Sequence, residues 1–177
     1  MVNWATELSG MSPAELHVWA VHDDARLELL TATVQAALST LDQVKVRTLS
    51  QVLAEAVEDD AKLDLSALIT RSLADLEPSH IRVLKAMCTE TAPRGDSDEP
   101  IAQGTWLQSA LEVRFPHLGE GILPIMATLE QHALVDGRGY AGTRRDGGAD
   151  PAWNLTNYGS HVYAYLSRSS TALNQKG

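Results

Sequence analysis

From Asp23 to Glu58 the chain contains neither glycine nor proline, and alanine, leucine, glutamate and glutamine are plentiful. That composition reads as helix throughout. Within it Leu27, Leu30, Val34, Ala37, Leu41 and Val44 recur at alternating spacings of three and four, a heptad seam over nearly three repeats. The register then slips to Leu49, Val52, Leu53 and Ala56. Unbroken, the stretch is a helix of about 36 residues, about 54 Å long at the standard rise. Thr40-Leu41-Asp42-Gln43 also reads as a capping box, so the alternative is a helical hairpin broken near Ser39–Asp42. An amphipathic helix is marginal alone in water, so the seam must be covered, either by the chain's own core or by a second subunit. Leu27, Leu30, Val34, Ala37, Leu41 and Val44 are therefore the expected homodimer interface.

The rest of the chain divides into shorter elements. Ser12-Pro13-Ala14-Glu15 opens a helix over about Pro13 to Val21, with serine at the cap, proline at the first helical position and glutamate completing a capping box. Asp59, Asp60 and Asp64 flank a turn, read as solvated acids because their spacing is not that of a calcium loop. Asp64 is placed to cap a helix through Leu65, Leu68, Ile69 and Leu73. Pro78 starts another, ending in the breaker-rich stretch Thr91 to Pro100. Helices are expected over Ile101–Val113 and Glu120–His132, the latter with Pro124 in its first turn. The period then changes: Leu134 to Tyr140 and Ala152 to Thr156 read as strands on either side of a glycine-rich excursion, and Thr156 or Asn157 caps a last helix through Leu166. The expected division is a helical region over 1–75, a second domain over 76–168 and a flexible tail over 169–177.

Charge is unevenly spread. The net charge is −9, and residues 1–78 carry 13 acidic against 5 basic side chains, whereas 79–177 carry 10 against 9. An acidic first half repels phosphate within about a Debye length, roughly 8 Å. The most basic short stretch is Gly137 to Arg145, with Arg138, Arg144 and Arg145 and no acid.

Helix, helix, helix, strand, excursion, strand, helix is the order of a winged helix-turn-helix domain, over about Leu76 to Leu166. Leu76-Glu77-Pro78-Ser79-His80-Ile81-Arg82-Val83-Leu84 resembles the opening of MarR-type regulators. Leu129-Glu130-Gln131-His132-Ala133-Leu134-Val135 resembles the end of a recognition helix running into the first wing strand. Trp153-Asn154-Leu155-Thr156-Asn157-Tyr158-Gly159 resembles the following strand-to-helix junction, with Thr156 as cap. Long helices ahead of such a domain also look like uncharacterised bacterial proteins. The resemblance implies a mainly α fold: a long helix or helical hairpin, then a winged-helix domain with a small two-stranded β-wing. It further implies a dimeric transcriptional regulator on double-stranded DNA, with wing arginines Arg138, Arg144 and Arg145 and nearby Arg114 on phosphates. Thr128 and Gln131 on the recognition helix would read bases, glutamine being able to pair with adenine. The sequence departs from that pattern in two respects. Ten residues of breakers between the first two helices lengthen the usual connection. The outward positions Glu120, Pro124, Ala127, Thr128 and Gln131 include no arginine or lysine. The alternative is a protein-interaction module, with the winged helix as scaffold and the acidic helices docking a protein partner.

Enzymatic signatures are lacking. Asp136-Gly137-Arg138-Gly139 has neither the strand-to-helix setting nor the lysine of a phosphate loop. The single cysteine, Cys88, excludes an internal disulfide, and with His80 eight residues upstream it reads better as a buried thiol than as a nucleophile. The six histidines show no metal-ligand spacing. A ligand pocket lined by Trp19, Trp106 or Trp153 is a weaker reading than tryptophans in the core. No cofactor is expected. With no apolar run approaching membrane-spanning length and no signal-peptide pattern at Met1–Glu7, the expectation is a cytoplasmic protein.

Overall fold

The structure is a computed structural model that describes residues 6–7, 9–93, 104–144 and 147–175 of the 177-residue chain. It is mainly helical, with one small three-stranded antiparallel sheet. Two compact units are present. One combines residues 1–75 with 164–177; the other is Leu76–Tyr163.

In the first unit, α1 (Pro13–Ala20) begins with the expected capping box. The Glu15 N–H donates to the Ser12 hydroxyl at 3.3 Å, and the Ser12 N–H donates to the Glu15 carboxylate at 2.7 Å. The glycine-free stretch is a hairpin of two helices, α2 (Asp24–Leu38) and α3 (Gln43–Glu58). Polar side chains break it by competing for backbone groups. The Asp42 carboxylate accepts from the Val44 and Lys45 N–H groups at 2.8 and 3.4 Å. The Thr40 hydroxyl accepts from the Asp42 N–H, and the Ser39 hydroxyl donates to the Ala36 carbonyl. Asp42 is thus the cap, two residues beyond the threonine that the sequence pattern favours.

The buried face of α2 is Leu29, Thr33, Ala36 and Ala37, rotated away from the heptad seam. The break divides that seam between two helices. Ala37 is buried; Leu30, Val34 and Val44 are half-buried; Leu27 and Leu41 are exposed. A short 3₁₀ turn, Asp60–Lys62, is capped by Asp59 and leads into α4 (Leu63–Asp75), which packs on both α2 and α3. Asp64 lies inside the first turn of α4 and does not cap it. The core here gathers Leu16, Trp19, Ala20, Leu29, Leu53, Ala56 and Val57. Lys45 is only 5% exposed, and its ammonium donates to the Ala74 carbonyl at 2.9 Å. The cation thereby satisfies a terminal carbonyl of α4 and sits at the negative end of its dipole.

The second unit runs α5 (Pro78–Thr89), β1 (Thr105–Leu107), α6 (Gln108–Arg114), α7 (Ile122–Gln131), β2 (Val135–Thr143), β3 (Ala149–Leu155) and the start of α8 (Asn157–Asn174). The sheet order is β1-β3-β2. Two expectations need correction. The sheet is not two-stranded, because Thr105, Trp106 and Leu107 pair antiparallel with Asn154, Trp153 and Ala152. The helix expected from Ile101 is interrupted by that same strand and begins at Gln108. Three buried residues in a row leave no periodicity to read, and Gly104, at φ +86°, marks the strand's entry. Residues 94–103, which complete the expected Thr91–Pro100 loop and the start of that helix, lie outside the described residues. The last helix also extends further than expected, with Thr171–Asn174 helical and Ser169 buried, where the sequence suggested a frayed tail.

Helix α7 ends in a Schellman motif, with the Leu134 N–H on the Leu129 carbonyl (2.9 Å) and the Ala133 N–H on the Glu130 carbonyl (2.8 Å). Ala133 holds the left-handed position at φ +55°, where glycine is the usual occupant. The Leu134 carbonyl then organises the far end of the hairpin. It accepts from the Thr156 N–H and the Thr156 hydroxyl, both at 3.1 Å, while that hydroxyl accepts from the Gly159 N–H at 2.8 Å. Thr156 is therefore the cap of α8, as its sequence context suggested. A Cβ on Gly159 would collide with the Leu134 carbonyl.

Opposite outcomes are expected for two single-methyl changes at this junction. Gly159→Ala lowers stability by about 1–3 kcal/mol or more through backbone overpacking. Ala133→Gly raises it by about 1 kcal/mol by relieving the left-handed alanine. Urea or thermal unfolding of the two variants measures both.

Candidate nucleic-acid interface

The residues expected on DNA all belong to the second unit, apart from Arg145, which lies outside the described residues. Arg114 ends α6. Its Nε and Nη2 donate to the two oxygens of Glu90, at 2.6 and 2.7 Å, and its guanidinium lies 5.1 Å from the Phe115 ring centroid. Both pKa values record the pairing: the hydrogen bond from Arg114 lowers the Glu90 carboxyl, and the bond to Glu90 raises the Arg114 guanidinium. A lowered carboxyl pKa means that the pair's contribution is present at neutral pH. It is lost as pH falls through and below the usual glutamate range.

Arg144 lies at the tip of the β2–β3 hairpin, with its N–H on the Gly148 carbonyl at 2.8 Å. Its guanidinium forks onto Glu112 of α6, at 3.2 Å to one carboxylate oxygen and 2.6 Å to the other. Glu112 also accepts from the Gln108 amide at 2.7 Å. The arginine side chain is 22% exposed, so this pair is better shielded than a surface bridge. Arg138 pairs with Asp136 at 3.2 Å. With the Asn154 amide oriented to suit its neighbours, the Asn154 oxygen accepts from Arg138 Nε at 3.0 Å. The Glu130 carboxylate lies against Gly137, so close that a Cβ there would strike it.

On α7, the half-buried Thr128 donates its hydroxyl to the Pro124 carbonyl at 3.2 Å, and Gln131 is exposed at the helix end. Leu123, 46% exposed, shares this helix with exposed Pro124 and Ala127. The segment Leu123–Gln131 contains no arginine or lysine. The second unit as a whole has 7 basic and 11 acidic side chains, a net of −4.

The group that positions the hairpin escaped the sequence reading. Asp150 of β3 is wholly buried, and its two oxygens accept from the Ser109 N–H at 3.1 Å and the Ser109 hydroxyl at 2.6 Å. Ser109 lies in the first turn of α6, whose cap residue Leu107 has no side-chain acceptor. A carboxylate from the facing strand thus does the work of a helix cap and complements the helix dipole. The sequence signal was faint: an aspartate before proline at the end of a glycine-rich tract, 41 residues from its partner.

The other candidates lie elsewhere. Trp19, Trp106 and Trp153 are all buried. Cys88 is half-buried, and burial pushes its thiol up to about 11, opposite to the shift that makes a nucleophile. His80 accepts the Glu77 N–H on Nδ1 at 3.0 Å. Among the described residues no group of three His, Cys, Asp or Glu is arranged to hold a metal, and no helix is long and apolar enough to cross a membrane.

Compared with family models, with curated proteins and with solved structures, the chain matches none.

Asp150→Ala removes the acceptor of both Ser109 donors in a buried site and is expected to cost about 2–3 kcal/mol. Glu112→Gln, at the better-exposed tip contact, is expected to cost under about 1 kcal/mol. Chemical denaturation ranks the two; a reversed order would mean that Arg144–Glu112, not Asp150, holds the hairpin to α6.

Proposed function

We propose that Leu76–Tyr163 is a winged-helix scaffold serving a non-enzymatic protein-interaction module, and that its α7 face contacts protein and not DNA. The scaffold reading is supported by element order. Helices α5, α6 and α7 are followed by the β2–β3 hairpin and α8, in keeping with the order on which that resemblance rests, with β1 added beside β3. The observation that carries the functional half is electrostatic. Each described arginine expected on phosphate is already paired with a carboxylate of its own unit: Arg114 with Glu90, Arg138 with Asp136, Arg144 with Glu112. Phosphate affinity comes from cations that neutralise phosphates and release counterions. Here each contact would first displace a carboxylate and leave it facing the DNA.

The face of α7 that would enter a major groove offers Leu123, Pro124, Ala127, Thr128 and Gln131. That face is apolar at its start and polar at its end and carries no cation, closer to a protein contact than to a base-reading surface.

Regulation through DNA is the second reading, favoured by Thr128 and Gln131 standing on that face and by the clustering of Arg138 and Arg144 on one hairpin. It requires the carboxylate pairs to exchange for phosphates, and a homodimer to double the cations.

Fluorescence anisotropy with random-sequence duplex DNA at low and physiological salt separates the two. The expected result is no saturable binding at physiological salt. Micromolar binding that weakens steeply with salt and is lost in Arg138→Ala/Arg144→Ala would overturn the proposal and establish the hairpin as a phosphate contact.

A further inference from the structure

Within the first unit, α2 and α4 lie side by side and point the same way. Arg26 of α2 pairs with Asp60 just ahead of α4, and further along the Thr33 and Thr70 hydroxyls meet at 3.5 Å in the core. A cleft of about 300 Å³ stays open between the two helices and is lined by their residues. Leu29, Ala32 and Ala67 are its more enclosed members, and the small alanine side chains leave room for another helix to approach. Leu68 stands at the edge, 53% exposed, the most exposed leucine of α4. A lone exposed leucine is ordinary. One beside an open apolar cleft has somewhere to go, and the cleft of its own copy already holds its neighbours.

The charges that flank Leu68 say what that place is. Asp64 lies one turn before it and Arg71 just under one turn after it, so acid, leucine and arginine follow one another along one side of α4. The Asp64 carboxylate is exposed and has no hydrogen-bond or ion-pair partner among the described residues. Arg71 makes one contact, Nη2 to a Glu28 oxygen at 2.8 Å, with both side chains well exposed at 62% and 69%. A guanidinium has five donors in a planar fork, so this one can hold Glu28 and still receive a second carboxylate. Reversed end for end, acid–leucine–arginine is its own complement. Laid parallel, like charges would meet; laid antiparallel about a two-fold axis near Leu68, each acid faces an arginine. That is the requirement of an isologous contact, in which one patch serves both partners.

We propose that the α2–α4 face binds a second copy of this chain, with the two α4 helices antiparallel, each Leu68 seated toward the other copy's cleft, and each Asp64 on the other copy's Arg71. This face belongs to the first unit, so the proposal stands whichever surface α7 contacts. It also differs from the heptad seam, whose Leu27 and Leu41 are exposed while Ala37 is buried in the chain's own core. The net charge of −9 on each copy opposes association, but repulsion beyond about 8 Å is screened at physiological ionic strength, whereas a bonded pair is screened much less. A patch centred on one turn of α4 is smaller than a standard interface, so the expected dimer is a weak one in the micromolar range.

The test is sedimentation equilibrium of the full chain at physiological salt, from about 1 to about 300 µM. The expected result is a reversible monomer–dimer equilibrium. Leu68→Glu should weaken it at least about tenfold. Asp64→Arg gives a copy with two cations on the face and Arg71→Asp a copy with two acids, so each variant alone should associate about tenfold or more weakly than the parent chain. Mixed in equal amounts, the two should form a heterodimer, because every cation of one then faces an acid of the other. Thermal melting of each variant checks that it is folded, which the exposure of Asp64, Leu68 and Arg71 favours. A chain that stays monomeric throughout leaves the cleft to some other protein and overturns the proposal. A dimer unaffected by Leu68→Glu places the contact elsewhere, and a mixture that fails to associate rejects the antiparallel pairing; each overturns it equally.

Discussion

The Asp150–Ser109 contact determines what the second unit can present to its surroundings. A carboxylate with no exposure must have donors, and the nearest in the fold are the N–H and hydroxyl of Ser109 in the first turn of α6. Meeting that demand draws the start of β3 onto α6, and the hairpin tip comes with it. One turn further along α6 stands Glu112, where Arg144 finds its carboxylate. The hairpin's orientation and the neutralisation of its tip therefore share one cause. A chain with alanine at 150 would have less reason to fold its basic loop inward.

The same accounting explains why a basic stretch in the sequence is not a basic patch in space. Gly137 to Arg145 contains no acid, but Asp136 directly precedes it, and packing brings Glu130 and Glu112 beside it. Counted by unit, the charges also differ from the count by sequence halves. The first unit, with 12 acidic and 7 basic side chains, is at −5, and the second, with 11 and 7, is at −4. Neither unit has the positive balance that non-specific DNA affinity rests on.

What the sequence disclosed, and what it withheld, follows the range of the interactions. Local ones were readable: Ser12 with Glu15, Pro13 and Pro78 at helix starts, and Thr156 capping α8 all act within a few residues. The glycine at 159 was visible as part of a pattern, although its reason, a carbonyl 25 residues earlier, was not. The hairpin break at Ser39–Asp42 was one of two readings, because the helical preference of the segment and its capping potential point opposite ways. Strand β1 stayed hidden because three residues have no period and its partner lies 45 to 49 positions away. The ion pairs of Arg114 and Arg144 span 24 and 32 positions. In the first unit the Tyr165 hydroxyl donates to Glu55 across 110 positions, and nothing in either neighbourhood announces the other.

Lys45 illustrates how a polar side chain can report on a fold without taking part in a binding site. Its ammonium is held against the end of α4 and almost removed from water. An amine in that setting is shielded from acylating reagents until α3 and α4 separate, while Lys62 on the neighbouring turn is exposed, with no such enclosure. The rate at which Lys45 is labelled therefore counts the openings of that helix pair, and gives the first unit an intrinsic clock for its own breathing.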